Sequence, residues 1–139
     1  VLNAVIARSG RTAYGTPQSQ ARVLCDYVEG PDVLSSVVAE ENGRVIAWQS
    51  VGLWKGDPHI GSFTAPWLQA RGAGSRMFPL TCARLRERGI GYVIAHIRAD
   101  NVPGLAYYAR IGFRDIGHDA DFALGDGRKV GRVHRRFDL

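Results

Sequence analysis

The sequence predicts one α/β domain built on a mixed sheet, antiparallel at its ends and parallel in a helix-linked centre. Three observations predict it. Two runs rich in β-branched residues flank Asn42-Gly43, a strong tight-turn pair. Farther on, the continuous apolar run "YVIAHIR" stands between two segments of helical character, as a strand buried on both faces does. The chain then closes on a second pair of alternating runs around "GDG".

The elements follow in order. "LNAVIA" reads as a first strand. "QSQARVLCDYVEG" reads as a helix with Ala21, Leu24, Cys25 and Val28 on one face, stopped by Gly30-Pro31. "SSVVAEENGRVIAWQSVGLW" is the first hairpin, and "HIGSFTA" is a third strand ended by Pro66. A helix then runs to Arg88 and stops at Gly89, with Met77, Thr81 and Leu85 on one face. Pro79 lies too deep for the favoured first position, so a kink or a missing hydrogen bond is expected there. "NVPGLAYYARIGF" is a short helix, with Pro103 in its first turn and Gly112 at its stop. The tail from Ala120 to Leu139 is the second hairpin.

The bulk numbers narrow the function classes. At 139 residues the chain suits one domain spanning 1–139, although its N-terminal part is short and weakly patterned, as if a helix were missing or truncated. No apolar run approaches the length of a membrane span, and no signal-peptide layout is present. Val1 is not methionine, so the start is expected to have been processed, trimmed or left out. The formal charge is +5, and 16 of the 18 basic residues are arginines. Such a balance favours an anionic partner without choosing one. The basic tail "GRKVGRVHRRFDL" alternates like a strand with a charged outer face and carries no recognised nucleic-acid module, so no nucleic acid is expected. Cys25 and Cys82 form no disulfide framework, which points to a reducing cytoplasm. Neither they nor His59, His96, His118 and His134 have metal spacing, so no metal is expected.

One short stretch carries the functional signal. In "WLQARGAGSRM" two glycines precede a helix, with Arg71 and Arg76 beside them. A helix N-terminus exposes unpaired N–H groups and partial positive charge, and glycines let an anion approach the backbone. Strand, glycine corner, helix is therefore a pyrophosphate seat, or else a plain turn. The dinucleotide fingerprint is broken at Met77, and no P-loop is present.

Gln69 to Gly74 fits the pattern Q/R-x-x-G-x-G/A, and about thirty residues later comes N-x-x-x-x-A-x-Y-Y-x-x-x-G-F from Asn101 to Phe113. With this strand order, the sequence resembles the GNAT superfamily of acyl-CoA-dependent N-acetyltransferases from about Ser36 to Leu139. The resemblance implies a sheet whose central strands splay, with helices on both faces. It implies acetyl-CoA as co-substrate, its pyrophosphate on the backbone of Ala70, Arg71, Gly72, Ala73, Gly74 and Ser75, with Gln69 at the edge. Ser62, Phe63 and Thr64 would pair with the pantetheine arm, the N–H of Thr64 would meet the developing oxyanion, and Asn101 would give a polar contact. A homodimer is a further expectation of the resemblance.

Acetyl transfer to an amine needs three things: a deprotonated amine, a donor for the thioester oxygen, and help for the leaving thiolate. Tyr108, four residues before Gly112, lies where the family often carries a tyrosine facing the sulfur; it could also merely pack. His96, on the buried strand, stands where some members carry a glutamate base. It is either the base or a hydrogen-bonded core histidine, with water then relaying the proton. His59 and Asp57 are lesser candidates. Cys82, mid-helix and far from any histidine in sequence, reads as a packed thiol. Trp48, Trp54 and Trp67 could line an acceptor site or pack. The expected activity is transfer of acetyl from acetyl-CoA to a primary amine of a small molecule or peptide by direct attack. The alternative is a non-catalytic acyl-CoA sensor or interaction module of the same fold.

Overall fold

Asn42 and Gly43 turn the first hairpin with φ of 50° and 74°, the doubly positive geometry that a two-residue connection between twisted strands requires. The computed structural model describes residues 1–8, 11–68 and 72–139. The hairpin joins β1 (Val33–Glu41) to β2 (Arg44–Trp54), and β3 (Asp57–Thr64) returns antiparallel along β2. Helix α3 (Ala73–Glu87) crosses over to β4 (Tyr92–Arg98), which lies parallel to β3. Helix α4 (Val102–Arg110) leads to the second hairpin, β5 (Arg114–Ala123) and β6 (Lys129–Asp138). The strand order is β1-β2-β3-β4-β6-β5, the mixed sheet that the sequence predicts.

Two N-terminal expectations are corrected. Leu2–Ala7 is a helix, α1, and not a first strand. Leu2, Val5 and Ile6 are all buried, and their i, i+3, i+4 spacing is that of one helix face. In so short a β-branched stretch the two periods are hard to tell apart, and packing decides. The second helix forms as α2 (Gln20–Leu24) and continues into a π-helical turn, Cys25–Glu29. Its expected apolar face is the exposed one: Ala21, Leu24, Cys25 and Val28 face solvent, while Val23 and Tyr27 pack inward against Trp48 and Phe63. Tyr27 makes edge contacts with both rings, so one large aromatic side chain sets the rotation of the helix.

Successive strand residues point to opposite faces, and the two faces have separate cores. On one, Val51, Ile60, Val93, Ala95 and Ile97 meet Phe78, Cys82 and Leu85 of α3 and Tyr108 of α4. On the other, Trp48 packs with Leu2 and Ile6 of α1 and with Phe63 and Tyr27. Helices therefore cover both faces. Met77, Thr81 and Leu85 form the predicted inner stripe of α3. The helix runs on through Pro79, whose missing N–H leaves the Ser75 carbonyl without its intrahelical donor.

Leu85 has no exposed surface in this core. Leu85→Ala should lower the unfolding free energy by about 2–5 kcal/mol, the range for a buried leucine whose cavity only partly collapses. Urea denaturation followed by tryptophan fluorescence measures it. A loss under half a kilocalorie per mole, on the scale of surface substitutions, would show that the α3 face is not the main core.

Candidate active site

Strands β3 and β4 pair at a single register position, His59 with Ile94. Beyond it they separate. Each is held on its other side by a long antiparallel ladder, β3 by β2 through Thr64 and β4 by β6 through Arg98. The register places Gly61 level with His96 at the start of the split.

Hydrogen-bond phase determines which backbone groups face this split. The Ala65 N–H donates to the Ile46 carbonyl at 2.8 Å, so Thr64 with Ala47 is a non-hydrogen-bonded pair. Counting back, Phe63 exchanges its bonds with Trp48, whereas Ser62 and Thr64 turn their main-chain groups away from β2, toward β4. Ser62 and Thr64 thus offer a ladder edge to an extended ligand. Phe63 stacks its ring on Trp48 at 5.2 Å and supplies apolar surface.

The other end of the site is the start of α3. Gly72 is its N-cap, in the left-handed region at φ 70°, and no side chain caps the helix. The first intrahelical bond runs from the Arg76 N–H to the Gly72 carbonyl, so the amides of Ala73, Gly74 and Ser75 have no helical partner. No acidic residue stands in the first turn. Gly74 is needed for a second reason: a Cβ there would come within 2.8 Å of the Tyr107 ring. These observations fit an anionic phosphate group. Gln69, Ala70 and Arg71, also expected at this seat, lie outside the described residues.

Hydroxyls gather on the α3/α4 face of the split. Tyr108 is buried, at 7% exposure, and its hydroxyl donates to Ser62 Oγ at 3.1 Å. Burial pushes its phenol pKa well up, since the charged form would be poorly solvated. The Ser62 main-chain N–H also bears on the Tyr108 oxygen and favours its charged form. Tyr107 accepts from Gln49 Nε2 at 3.0 Å and is likewise pushed up by burial. Asn101 accepts from the Gly104 N–H at 3.2 Å as the N-cap of α4, and its amide NH2 is left as a donor. Cys82 is buried with its thiol pKa raised, so it is no ready nucleophile.

Imidazoles gather on the opposite face. Because Ala95 and Ile97 join the core with Tyr108, His96 points the other way. Its ring stacks on His134 of β6 at 4.0 Å and meets His59 edge-on at 4.6 Å, with Trp54 beside it at 5.7 Å. Burial, followed by the His134 and His59 charges, lowers the His96 pKa to about 4, and burial lowers that of His59. His134 reaches Asp119 at 2.9 Å, and Arg132 donates to the same carboxylate at 2.6 Å, which holds it below the usual range. Next to this cluster a groove of about 760 Å³ opens between Trp54, Lys55 and the Asp119–Ala123 segment. Asp57 is taken up by Tyr92, which donates to it. Of the three tryptophans, Trp48 is core, Trp54 flanks the histidines and Trp67 is exposed.

The two catalytic candidates thus lie on opposite faces of the sheet beside the split, Tyr108 on one and His96 on the other. Sequence reasoning missed Gln49, Tyr107, His134 and Asp119. Gln49 left a signal: a single amide at an inward position of the apolar run "VIAWQSVGLW". His134 and Asp119 left none, since only pairing of β6 with β4 and β5 brings them together.

Among the described residues no helix is long and apolar enough to cross a membrane. Residues 5–113 match the model of the acetyltransferase (GNAT) family. A mycothiol acetyltransferase of Saccharomonospora viridis is 33% identical over 60 residues, 43% of this chain and 20% of that protein. The match thus covers only about a fifth of this curated relative. In fold, the chain is similar to yncA of Salmonella typhimurium, solved with its cofactor acetyl-CoA: TM-score 0.81, 18% identity, 100% of this chain and 84% of that one. An N-acetyltransferase of Staphylococcus aureus Mu50 gives TM-score 0.81 at 14% identity, over 99% and 88% of the two chains. The split sheet and the uncapped glycine corner have their counterpart in the family match across most of the length, and the chain belongs to the GNAT family of acetyltransferases.

Proposed function

We propose that this protein transfers the acetyl group of acetyl-CoA to a primary amine of a small molecule or peptide, by direct attack. One observation carries the reading: the uncapped start of α3 lies at the same opening as the free ladder edge of β3, with hydroxyls on one face and imidazoles on the other. Family membership and the acetyl-CoA-bound neighbour of like fold support it. The amides of Ala73, Gly74 and Ser75 bind the pyrophosphate together with Gln69, Ala70, Arg71 and Gly72. Ser62 and Thr64 pair with the pantetheine arm, Phe63 supplies apolar surface, and Asn101 gives its amide. The compartment is reducing, as in the cytoplasm, in keeping with two free thiols.

The chemistry divides across the sheet. The amine enters from the histidine face, where the groove beside Trp54 admits it. An alkylamine is neutral in only about one part in a thousand at pH 7. His96 is neutral there and can accept a proton, but it is a weak base. Its role fits the moment after the C–N bond begins to form, when the nitrogen has become acidic and a weak base suffices. The Thr64 N–H, directed into the split, meets the developing charge on oxygen. Tyr108 and its hydroxyl partners face the leaving sulfur.

Three outcomes are expected. Saturating acetyl-CoA should raise the thermal midpoint by about 5–10 °C, and Gly74→Val should abolish the shift while the protein still folds, because the side chain meets both phosphate and Tyr107. Absence of a shift at millimolar ligand would sink the cofactor reading, and normal binding by the variant would put the phosphate seat elsewhere. Thiol release with a panel of amines separates the enzyme from a silent sensor, and Tyr108→Phe and His96→Ala should each slow it at least about tenfold with the midpoint shift retained.

The third outcome concerns pH. A histidine whose folded pKa is depressed stabilises the fold fully above its unfolded pKa, near 6.5. That stability is lost as pH falls from there toward about 4. The thermal midpoint should therefore drop across this window, less steeply in His96→Ala. Any rate limb due to His96 should lie near pH 4; a limb at pH 6.5 that survives in His96→Ala belongs to another group.

A further inference from the structure

The hairpin of β2 and β3 turns on Lys55 and Gly56, with φ of 53° and 85°, between the paired residues Trp54 and Asp57. The first hairpin has the same doubly positive turn, and there asparagine takes the leading position. Asparagine enters the left-handed region readily, because its short amide bonds to the local backbone. Lysine has no such compensation and is strained there. Strain of this kind gathers at functional sites, where the surroundings hold a side chain in place. The Lys55 ammonium has a definite place. Its Nζ lies 4.6 Å from the centre of the Trp54 ring, on the wall of the groove of about 760 Å³. The same ring meets His59 edge-on at 5.0 Å and His96 at 5.7 Å. One indole therefore stands next to both the ammonium and the imidazoles.

Most other charges on the groove are committed. Arg132 donates twice to Asp119, from Nε at 3.0 Å and Nη2 at 2.6 Å, and its guanidinium lies 3.5 Å from the Phe122 ring centre. Asp119 also meets His134. Among the described residues, Lys55 and the exposed Asp121 are in no ion pair. The groove thus offers one unpaired charge of each sign, which suits a ligand that carries both. We propose that the acceptor is a small amino acid, its carboxylate on the Lys55 ammonium and its amine directed past Trp54 to the imidazoles, so that Lys55 sets the specificity of the transfer. The inference rests on the acetyl-transfer reading above and names its acceptor. Asp121 offers a counter-charge to the entering ammonium. An alkylamine without a carboxylate finds no anchor at Lys55 and meets it as a like charge, so the site selects by repulsion as well as attraction. The span from Lys55 Nζ to the His96 ring cannot exceed the two distances to the Trp54 ring together, which an amine and a carboxylate on one small molecule can bridge.

Matched acceptors test this: leucine against isopentylamine, and phenylalanine against phenethylamine, the second of each pair lacking only the carboxylate. Acetylated product is read by mass at saturating acetyl-CoA, beside a peptide amine. The members of a pair differ in basicity, so the quantity compared between variants is the ratio of their kcat/KM values. The wild type should favour the amino acid. Lys55→Asn should lower the ratio about fivefold, the scale of an ion pair at a partly exposed site, through a higher KM for the amino acid. Lys55→Arg, which keeps the charge, should keep the ratio. Asparagine suits the turn, as at Asn42, and both substrates meet the same protein, so any loss of folded material cancels. A ratio that is unchanged in Lys55→Asn overturns the inference. So does a wild type that prefers the bare amine, or one that acetylates the peptide and neither amino acid. If no amine takes up acetyl, carboxylated or not, the acetyl-transfer reading itself fails and this inference falls with it.

Discussion

The parting of β3 from β4 is the constraint on which the rest of the site depends. A parallel pair is a slightly weaker ladder than an antiparallel one, and here each partner is committed elsewhere. β3 follows β2 to Thr64, and β4 follows β6 to Arg98. Arg98 adds a further restraint: its guanidinium is buried and donates to Asp100 and to the Thr12 carbonyl, which ties the end of β4 to the N-terminal segment. The result is backbone polar groups of β3 that face a gap in mid-sheet. Backbone groups so placed are open to main-chain hydrogen bonds from an extended ligand, as the proposed function requires.

The gap and the start of α3 are joined by side chains as well as by chain order. Tyr107 lies over Gly74, and its hydroxyl accepts from Gln49, which also donates to Ser62. The missing Cβ of Gly74 leaves room for that ring. Moving that ring would take one of the two acceptors from the Gln49 amide NH2, the other being Ser62 Oγ. Because unsatisfied buried polar groups are costly, the network fixes the distance between the start of α3 and the middle of β3.

How much of this the sequence discloses depends on the range of the interactions. The Asn42-Gly43 hairpin, the limits of β4 and the inner stripe of α3 are local in origin, and all three match the structure. The corner at Gly72 is legible as a helix start, since Gly72 is the left-handed N-cap of α3. Leu2–Ala7 misleads because six residues carry too little periodicity to separate helix from strand. The α2 face misleads because one aromatic contact, Tyr27 against Trp48, outweighs four smaller apolar residues. His96 stands out in its strand, but its state is set by burial and then by the charges of His134 and His59, which are 38 and 37 residues away and reach it only through sheet pairing.

Those three imidazoles also bear on how a basic protein can receive a cationic substrate. A formal charge of +5 favours the anionic cofactor of the proposed function and opposes an ammonium. On the β5/β6 side the arginines are locally balanced. Arg132 is paired with Asp119, Arg135 with Asp115, and Arg136 with Asp138. Between them His96 lies 4.6 Å from the His59 ring and 4.0 Å from the His134 ring, and burial holds His96 and His59 toward the neutral form. The face that the proposed function gives to the amine therefore carries the neutral imidazoles of His96 and His59 beside the Trp54 ring, with Lys55 and the Asp119-paired Arg132 lining the groove, and Arg76 stands in the first turn of α3. In the proposed function the two ligands meet at the split, with Tyr108 on one face of the sheet and the histidines on the other.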